Sequence, residues 1–286
     1  MRVLQRPTDR TLVMGIVNVT PDSFSDGGQC LATEDAIRHG RSLIAEGADI
    51  IDIGGESTRP GAERAGLQVE LDRVIPVVAA LAAEGAVCSV DTMRSEVAAA
   101  AVAAGASYVN DVSGGLADPA MLDTVAGLGA RYVAMHWRGF SDVMTRLTYY
   151  GDVVADVASE LAARRDAALA AGIAPERLIL DPGLGFAKEP DHNWALLAGL
   201  DTLRRLGFPL LIGASRKRFL GALLADGDGP RPPRERDDAT LALTTLLAQQ
   251  RVWAVRTHAV RAHRDAIAVV ERLRAEPAQE PVGGVG

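Results

Sequence analysis

Lysine is almost missing from this 286-residue chain. Of 30 lysines and arginines, only Lys188 and Lys217 are lysine. A solvated surface that otherwise uses arginine has no need of them, so both positions, each just past an apolar run, draw attention. Positive charge is also in deficit, with a formal net charge of −7. That removes chain-level electrostatic support for a nucleic-acid partner. No apolar run reaches the roughly 18 residues of a membrane span, so no membrane role is expected. The stretch MRVLQRPTDR has no apolar core of a signal peptide, and a cytoplasmic protein is expected. Cysteine is limited to Cys30 and Cys88. Cys88 lies in an apolar strand pattern and reads as a small buried hydrophobe rather than a redox group.

What is present points to a soluble globular protein. The chain is 48% hydrophobic and 23% charged, enough for a sizeable core. Short apolar runs recur eight times, at 13–19, 50–55, 87–92, 108–111, 132–137, 178–183, 209–215 and 253–258. They are nearly continuous in apolar residues rather than alternating, as strands buried on both faces should be. Between them lie alanine-rich stretches with helical spacing, such as EDAIRHGRSLIAEGA, SEVAAAAVAAGA and DVVADVASELAARRDAALAAGI, closed by Gly47, Gly105 and Gly172. Eight strand–helix units predict an α/β fold, a (β/α)8 TIM barrel in a single domain over 1–274. A doubly wound open sheet is the alternative, weakened because no G-x-G-x-x-G follows the first strand. Residues 275–286 are expected to be a disordered Pro/Gly-rich tail. The charged stretch 227–238 reads as an insertion within the seventh unit.

Polar groups gather where the strands end. The first ends at Asn18 and enters TPDSFSDGG; the second runs into GGESTRPG; the third ends in Asp91-Thr92 and the fourth in Asn110-Asp111. His136, Asp181, Ser215-Arg216-Lys217, and Arg256 with His258 close the other four. In a barrel this face carries the active site. Each residue has a plainer alternative, as a helix cap for Thr33, Ser95 or Asp118 or a turn former for Asp181 before Pro182. Eight together are not accounted for by caps alone. Asp91, Asn110 and Asp181 supply acceptors and an amide, while Arg216, Lys217, Arg256 and His258 supply positive donors. The set suits a ligand with an N–H-rich edge at one end and an anion at the other. A pterin or guanine has an amino-imino edge that a buried carboxylate meets with two parallel hydrogen bonds. Arg256 and His258 suit phosphate near the last strands. A simple surface salt-bridge face is the alternative for that basic cluster. No nucleophile–base pair stands out, since Ser215 has no obvious histidine partner and Cys88 falls mid-strand. The segments 18–28 and 54–66, rich in Gly, Pro, Ser and Asp, read as loops able to close over a substrate.

These motifs carry a resemblance. MGIVNVTPDSFSDGG, DIIDIGGESTRPGA, SVDTMR, VNDVSGG, DPGLGFAK, GASRKRFLG and VRTHAV occur in family order over 13–260, and the chain resembles the dihydropteroate synthases, the sulfonamide target of folate biosynthesis. The resemblance implies a pterinylmethyl transfer. A 6-hydroxymethyl-7,8-dihydropterin diphosphate loses pyrophosphate by an SN1-like path, and the amine of para-aminobenzoate takes its place to give 7,8-dihydropteroate. It also implies Mg2+ held by Asn18 and a homodimer, with the apolar helix containing TLALTTLLAQQ a candidate contact. Asp91, Asn110, Asp181 and Lys217 would hold the pterin, with Asp181 on the amino-imino edge. Thr58, Arg256 and His258 would meet the diphosphate. Arg59, Pro60, Phe186 and the helix start after Ser215 would shape the benzoate site. Asp22, Phe24 and Asp26 would belong to the first closing loop. Asn18, Asp91, Lys217, Arg256 and His258 form the implied catalytic set. The chain departs from the family pattern at Ala259, where aspartate is common, and at Arg218, where some relatives carry serine. Two alternatives stay open: a corrinoid-dependent methyltransferase binding methyltetrahydrofolate, and a non-catalytic paralogue.

Overall fold

The structure is a computed structural model that describes residues 10–20, 28–56, 64–227 and 229–276. Strands and helices alternate along it: β1 (Leu12–Asn18), α1 (Gly28–Ala45), β2 (Ile50–Gly54), α2 (Leu67–Ala83), β3 (Cys88–Asp91), α3 (Ser95–Ala103), β4 (Tyr108–Asp111), α4 (Met121–Leu128), β5 (Arg131–Met135), α5 (Val153–Ala170) and β6 (Leu178–Asp181). Then follow α6 (Pro190–Ala198), α7 (Leu200–Arg204), β7 (Leu211–Ile212), α8 (Arg218–Leu223), α9 (Asp237–Gln249), β8 (Ala254–Thr257) and α10 (Val260–Arg274). All strand pairs are parallel, in the order β6-β5-β4-β3-β2-β1-β8-β7. A parallel bridge between Leu180 and Leu210 closes the ring. This is the expected single-domain TIM barrel, and the open sheet is excluded.

All eight expected strands form. β7 is the shortest, two residues where seven were expected. Pro209 has no N–H to give and serves the seam only as an acceptor, taking Leu180 N at 2.9 Å. Beyond Ile212 the chain turns into the barrel mouth. Gly47, Gly105 and Gly172 each follow a helix end with positive φ, as the caps require. The insertion expected at 227–238 falls between α8 and α9, though its last two residues already belong to α9.

Two apolar layers hold the barrel. One lies between strands and helices and includes Val13, Ile51, Val77, Leu81, Val109, Leu161 and Leu180. The other plugs the interior with Met14, Ile50, Tyr108, Val133, Ile179, Leu211 and Ala254. The inward positions of β2 therefore run Ile50, Asp52 and Gly54, apolar at the bottom and charged at Asp52 above it. Cys88 opens β3 rather than sitting inside it, is fully buried, and has its thiol pushed up to about 12 by burial. The inert reading of this cysteine fits. No helix among the described residues is long and apolar enough to cross a membrane.

Some polar strand ends serve the fold itself. Asp111 is fully buried and accepts from Ser113 N (2.8 Å), Ser113 Oγ (2.6 Å), Gly115 N (2.7 Å) and Tyr132 Oη (2.7 Å). It ties the turn after β4 to β5. Asp118 caps across elements, accepting from Ser95 N at 2.7 Å and Ala120 N at 2.9 Å. Ser95 and Thr33 lie within helices instead of capping them. Replacing Asp111 by alanine strands four donors in the interior at about 1–3 kcal/mol each before relaxation. Urea denaturation of Asp111→Ala is expected to show a loss of about 3 kcal/mol or more; a wild-type midpoint would contradict this role.

Candidate active site

The barrel mouth is built around one guanidinium. Arg256, inward on β8, donates Nε to Asp52 at 2.6 Å and Nη2 to Asp91 at 2.7 Å. Asp52 also accepts Asn110 Nδ2 at 2.9 Å. Adjacent strands bring these together: Asp91 pairs in register with Gly54 and Asn110. A Cβ on Gly54 would approach Asp91 Cβ to 3.3 Å, so the glycine makes room for the carboxylate. Burial opposes the charge on Arg256, but Asp52 and Asp91 hold its pKa above the ordinary value. Burial pushes Asp91 up to about 7 against the downward pull of Arg256, with Asp52 among the carboxylates raising it further. Asp52 was not among the residues expected in the site. It sits inside the apolar run IIDIGG, and only the inward parity of β2 would have revealed it. Its Oδ1 is buried with no hydrogen-bond partner.

Across the mouth lies Asp181, at the end of β6. It is 6% exposed. Its Oδ1 accepts Gly183 N at 2.7 Å, so its turn-forming role is real and leaves Oδ2 for other contacts. Burial raises its pKa, while the Gly183 N–H, Lys217, Arg256 and Lys188 pull it back. Gly183 adopts φ +65, and a Cβ there would come within 2.4 Å of the His136 carbonyl. Only glycine passes so close to β5 at this turn. Lys217 donates to the Leu184 carbonyl and lies 4.1 Å from the centre of the Phe186 ring. Burial draws Lys217 down to about 8, against the opposing effect of Asp181. Phe186 also joins Met93, Val112, Met135 and Phe140 in an apolar wall at the mouth, a surface suited to the face of a planar ring.

Three expectations are corrected. Ser215 does have a histidine partner: its Oγ lies 2.9 Å from His258 Nδ1 and accepts His258 N at 3.2 Å. The two come from neighbouring units 43 residues apart, which spacing along the chain does not reveal. Arg216, grouped with the positive donors, instead makes a two-pronged ion pair with Asp237, both contacts at 2.8 Å. α8 is only six residues long, so the helix start after Ser215 offers a benzoate anion little dipole.

Asn18 ends β1 beside Gly54. It offers one amide oxygen, and the described residues contain no group of three or more acidic, histidine or cysteine side chains that would hold a metal alone. That donor set would fit Mg2+ only if the ion arrived with an anionic ligand that supplied most of its oxygens. Thr58, Arg59, Pro60, Asp22, Phe24 and Asp26 lie outside the described residues. The base of the second loop is described, however. Arg94 reaches Glu56 (2.7 Å), the buried Glu70 and the Ala65 carbonyl (2.6 Å), and Arg64 pairs with Glu56 at 2.9 Å.

Comparison with known proteins agrees with this geometry. The family model for pterin binding enzymes matches residues 14–258. The dihydropteroate synthase of Mycobacterium leprae is 54% identical over 273 residues, covering 94% of this chain and 96% of that protein. Two solved structures of the Xanthomonas albilineans dihydropteroate synthase each cover 94% of this chain and 95% of theirs. One, with 4-aminobenzoic acid, has a TM-score of 0.87 at 47% identity. The other, with 7,8-dihydropteroate, has a TM-score of 0.84 at 45% identity.

Lys217 offers a ligand a charge-assisted hydrogen bond only as an ammonium. Its lowered pKa means the charge is present below about 8 and lost above it. The affinity for 6-hydroxymethyl-7,8-dihydropterin is expected to fall as pH rises through about 8. Lys217→Met should bind weakly throughout and lack that alkaline limb in a fluorescence titration. A limb of equal depth in the variant would contradict the assignment.

Proposed function

The chain belongs to the pterin-binding enzymes, and among them to the dihydropteroate synthases, and from that membership we propose how it acts. It condenses 6-hydroxymethyl-7,8-dihydropterin diphosphate with para-aminobenzoate, giving 7,8-dihydropteroate and pyrophosphate. Asp181 accepts the amino-imino edge of the pterin, helped by Asn110, Asp91 and Lys217. The apolar wall of Met93, Val112, Met135 and Phe186 takes the ring face. The observation that carries this reading is the buried carboxylate of Asp181 beside two cations and an apolar wall, in one barrel mouth.

The chemistry asks for electrostatics and positioning. The C–O bond to the diphosphate breaks, positive charge develops on the pterin methylene, and the aniline nitrogen forms the new C–N bond and then loses a proton. Arg256 and His258, with Thr58, face the departing diphosphate and balance its charge as it develops. Asn18 would hold Mg2+ together with the substrate, and the ion would supply further charge neutralisation there. The Ser215–His258 contact orients the imidazole toward this anion; a serine nucleophile is not required. Arg59, Pro60 and Phe186 shape the para-aminobenzoate site, which is also where a sulfonamide would compete. A cytoplasmic homodimer completes the reading, supported by Leu246, Val269 and Leu273 exposed on α9 and α10.

The test is product formation. Purified protein with both substrates and Mg2+ is expected to release dihydropteroate and pyrophosphate in equal amounts, and chelator should abolish both. Asp181→Asn breaks the match to the amino-imino edge at about 1.5–3 kcal/mol per charge-assisted bond. Pterin affinity should fall by about a hundredfold with the fold intact. Pterin binding without turnover would mark a non-catalytic relative, and unchanged affinity in the variant would sink the Asp181 assignment.

A further inference from the structure

The two lysines of this chain converge on one turn, and only one of them faces the site. Lys188 is 9% exposed. Its ammonium donates to His136 Nδ1 at 2.9 Å, to the Gly183 carbonyl at 3.0 Å and to the Phe186 carbonyl at 3.0 Å. Burial draws Lys188 down to about 7, against the opposing charge of Asp181; below that pH the three protons of the ammonium meet these three acceptors and no donor remains for a ligand. An ammonium cannot accept, so His136 Nδ1 carries the lone pair and its proton sits on Nε2. That nitrogen lies 2.9 Å from Glu160 Oε2. Burial and the charge on Lys188 hold His136 down to about 4, which keeps the ring neutral. Glu160 is anchored by Arg138 and has a side chain 39% exposed, at the solvent end of the chain of contacts.

The turn so held is otherwise awkward to build. Gly183, Gly185 and Ala187 have φ of 65, 77 and 48. For Ala187 this left-handed backbone carries a cost. Side-chain donors take most of its carbonyls, Gly183 and Phe186 by Lys188, Leu184 by Lys217, and Ala187 by Tyr150 Oη at 2.9 Å, while Phe186 N also closes the turn onto the Gly183 carbonyl at 3.1 Å. The turn begins at Asp181 and carries Phe186. Gly183 links both ends, its N–H donating to Asp181 and its carbonyl accepting from Lys188.

We propose that Lys188, oriented by the His136–Glu160 pair, is a positioning residue for pterin recognition. Its ammonium serves as the internal cation around which residues 182–187 fold, fixing Asp181 against the edge and Phe186 against the face of the ring. The proposal rests on the pterin reading above, and it assigns Lys188, His136 and Glu160 to substrate selection although none of the three touches substrate.

Calorimetric titration with 6-hydroxymethylpterin at pH 6, where Lys188 carries its charge and His136 is neutral, tests it, alongside thermal melting. Lys188→Met is expected to melt cooperatively and bind the pterin at least about tenfold more weakly. Lys188→Ala should recover about threefold or more of that loss in millimolar propylammonium, which restores a cation to the vacated space. Binding within twofold of wild type in folded Lys188→Met overturns the proposal. So does weakened binding that no alkylammonium restores, which would make Lys188 a packing residue only. If both variants fail to fold, Glu160→Gln decides, since it alters only the exposed end. A threefold or larger rise in Kd supports the proposal, and a Kd within twofold overturns it. A wild-type protein that binds no pterin would instead overturn the underlying pterin reading, a result distinct from any of these.

Discussion

Burying the Arg256 guanidinium sets the terms for everything around it. An unpaired charge in a barrel interior costs several kcal/mol after relaxation. Here the charge is met by Asp52 below and Asp91 beside it. Asp91 is thereby fixed next to Asn110, whose amide is fixed in turn by Asp52. Lys217 stands across from Arg256, and Asp181 interacts with both. Two cations and three carboxylates thus share the mouth in a fixed order before any ligand arrives. On the proposed reading, the ligand presents donors toward Asp181 and negative charge toward Arg256 and His258. Preorganisation of this kind is what a reaction driven by leaving-group departure needs.

Residues at the C-terminal strand ends divide into two kinds. Asp111, Arg216 and His136 have their polar atoms taken up by protein partners and hold loops in place. Asp91, Asp181, Lys217 and Arg256 keep atoms turned to the barrel axis. The plain reading of a polar strand end and the functional one are therefore both true, for different residues. For Asp181 both are true of the same carboxylate, one oxygen in the turn and the other toward the mouth.

Much of this was legible in the sequence. Strands covered on both faces give unbroken apolar runs, and so all eight could be placed to within a few residues. The exception, β7, lost length to a proline at the seam. The polar termini were legible because each follows its run directly. What the sequence hid were relations between units. Ser215 meets His258 and Arg216 meets Asp237 only once β7, β8 and α9 lie side by side. Asp52 was masked by the isoleucines around it, although its parity with Ile50 marks it as inward. The scarcity of lysine did flag Lys188, but nothing along the chain tells that its ammonium turns back into its own loop.

The most direct measurement is a crystal structure of the protein with 6-hydroxymethylpterin. The ring should lie in the barrel mouth among Asp91, Asn110, Asp181 and Lys217, with the free oxygen of Asp181 on the amino-imino edge and Phe186 against the face. A pterin bound elsewhere, or one whose amino-imino edge points away from Asp181, would contradict the account.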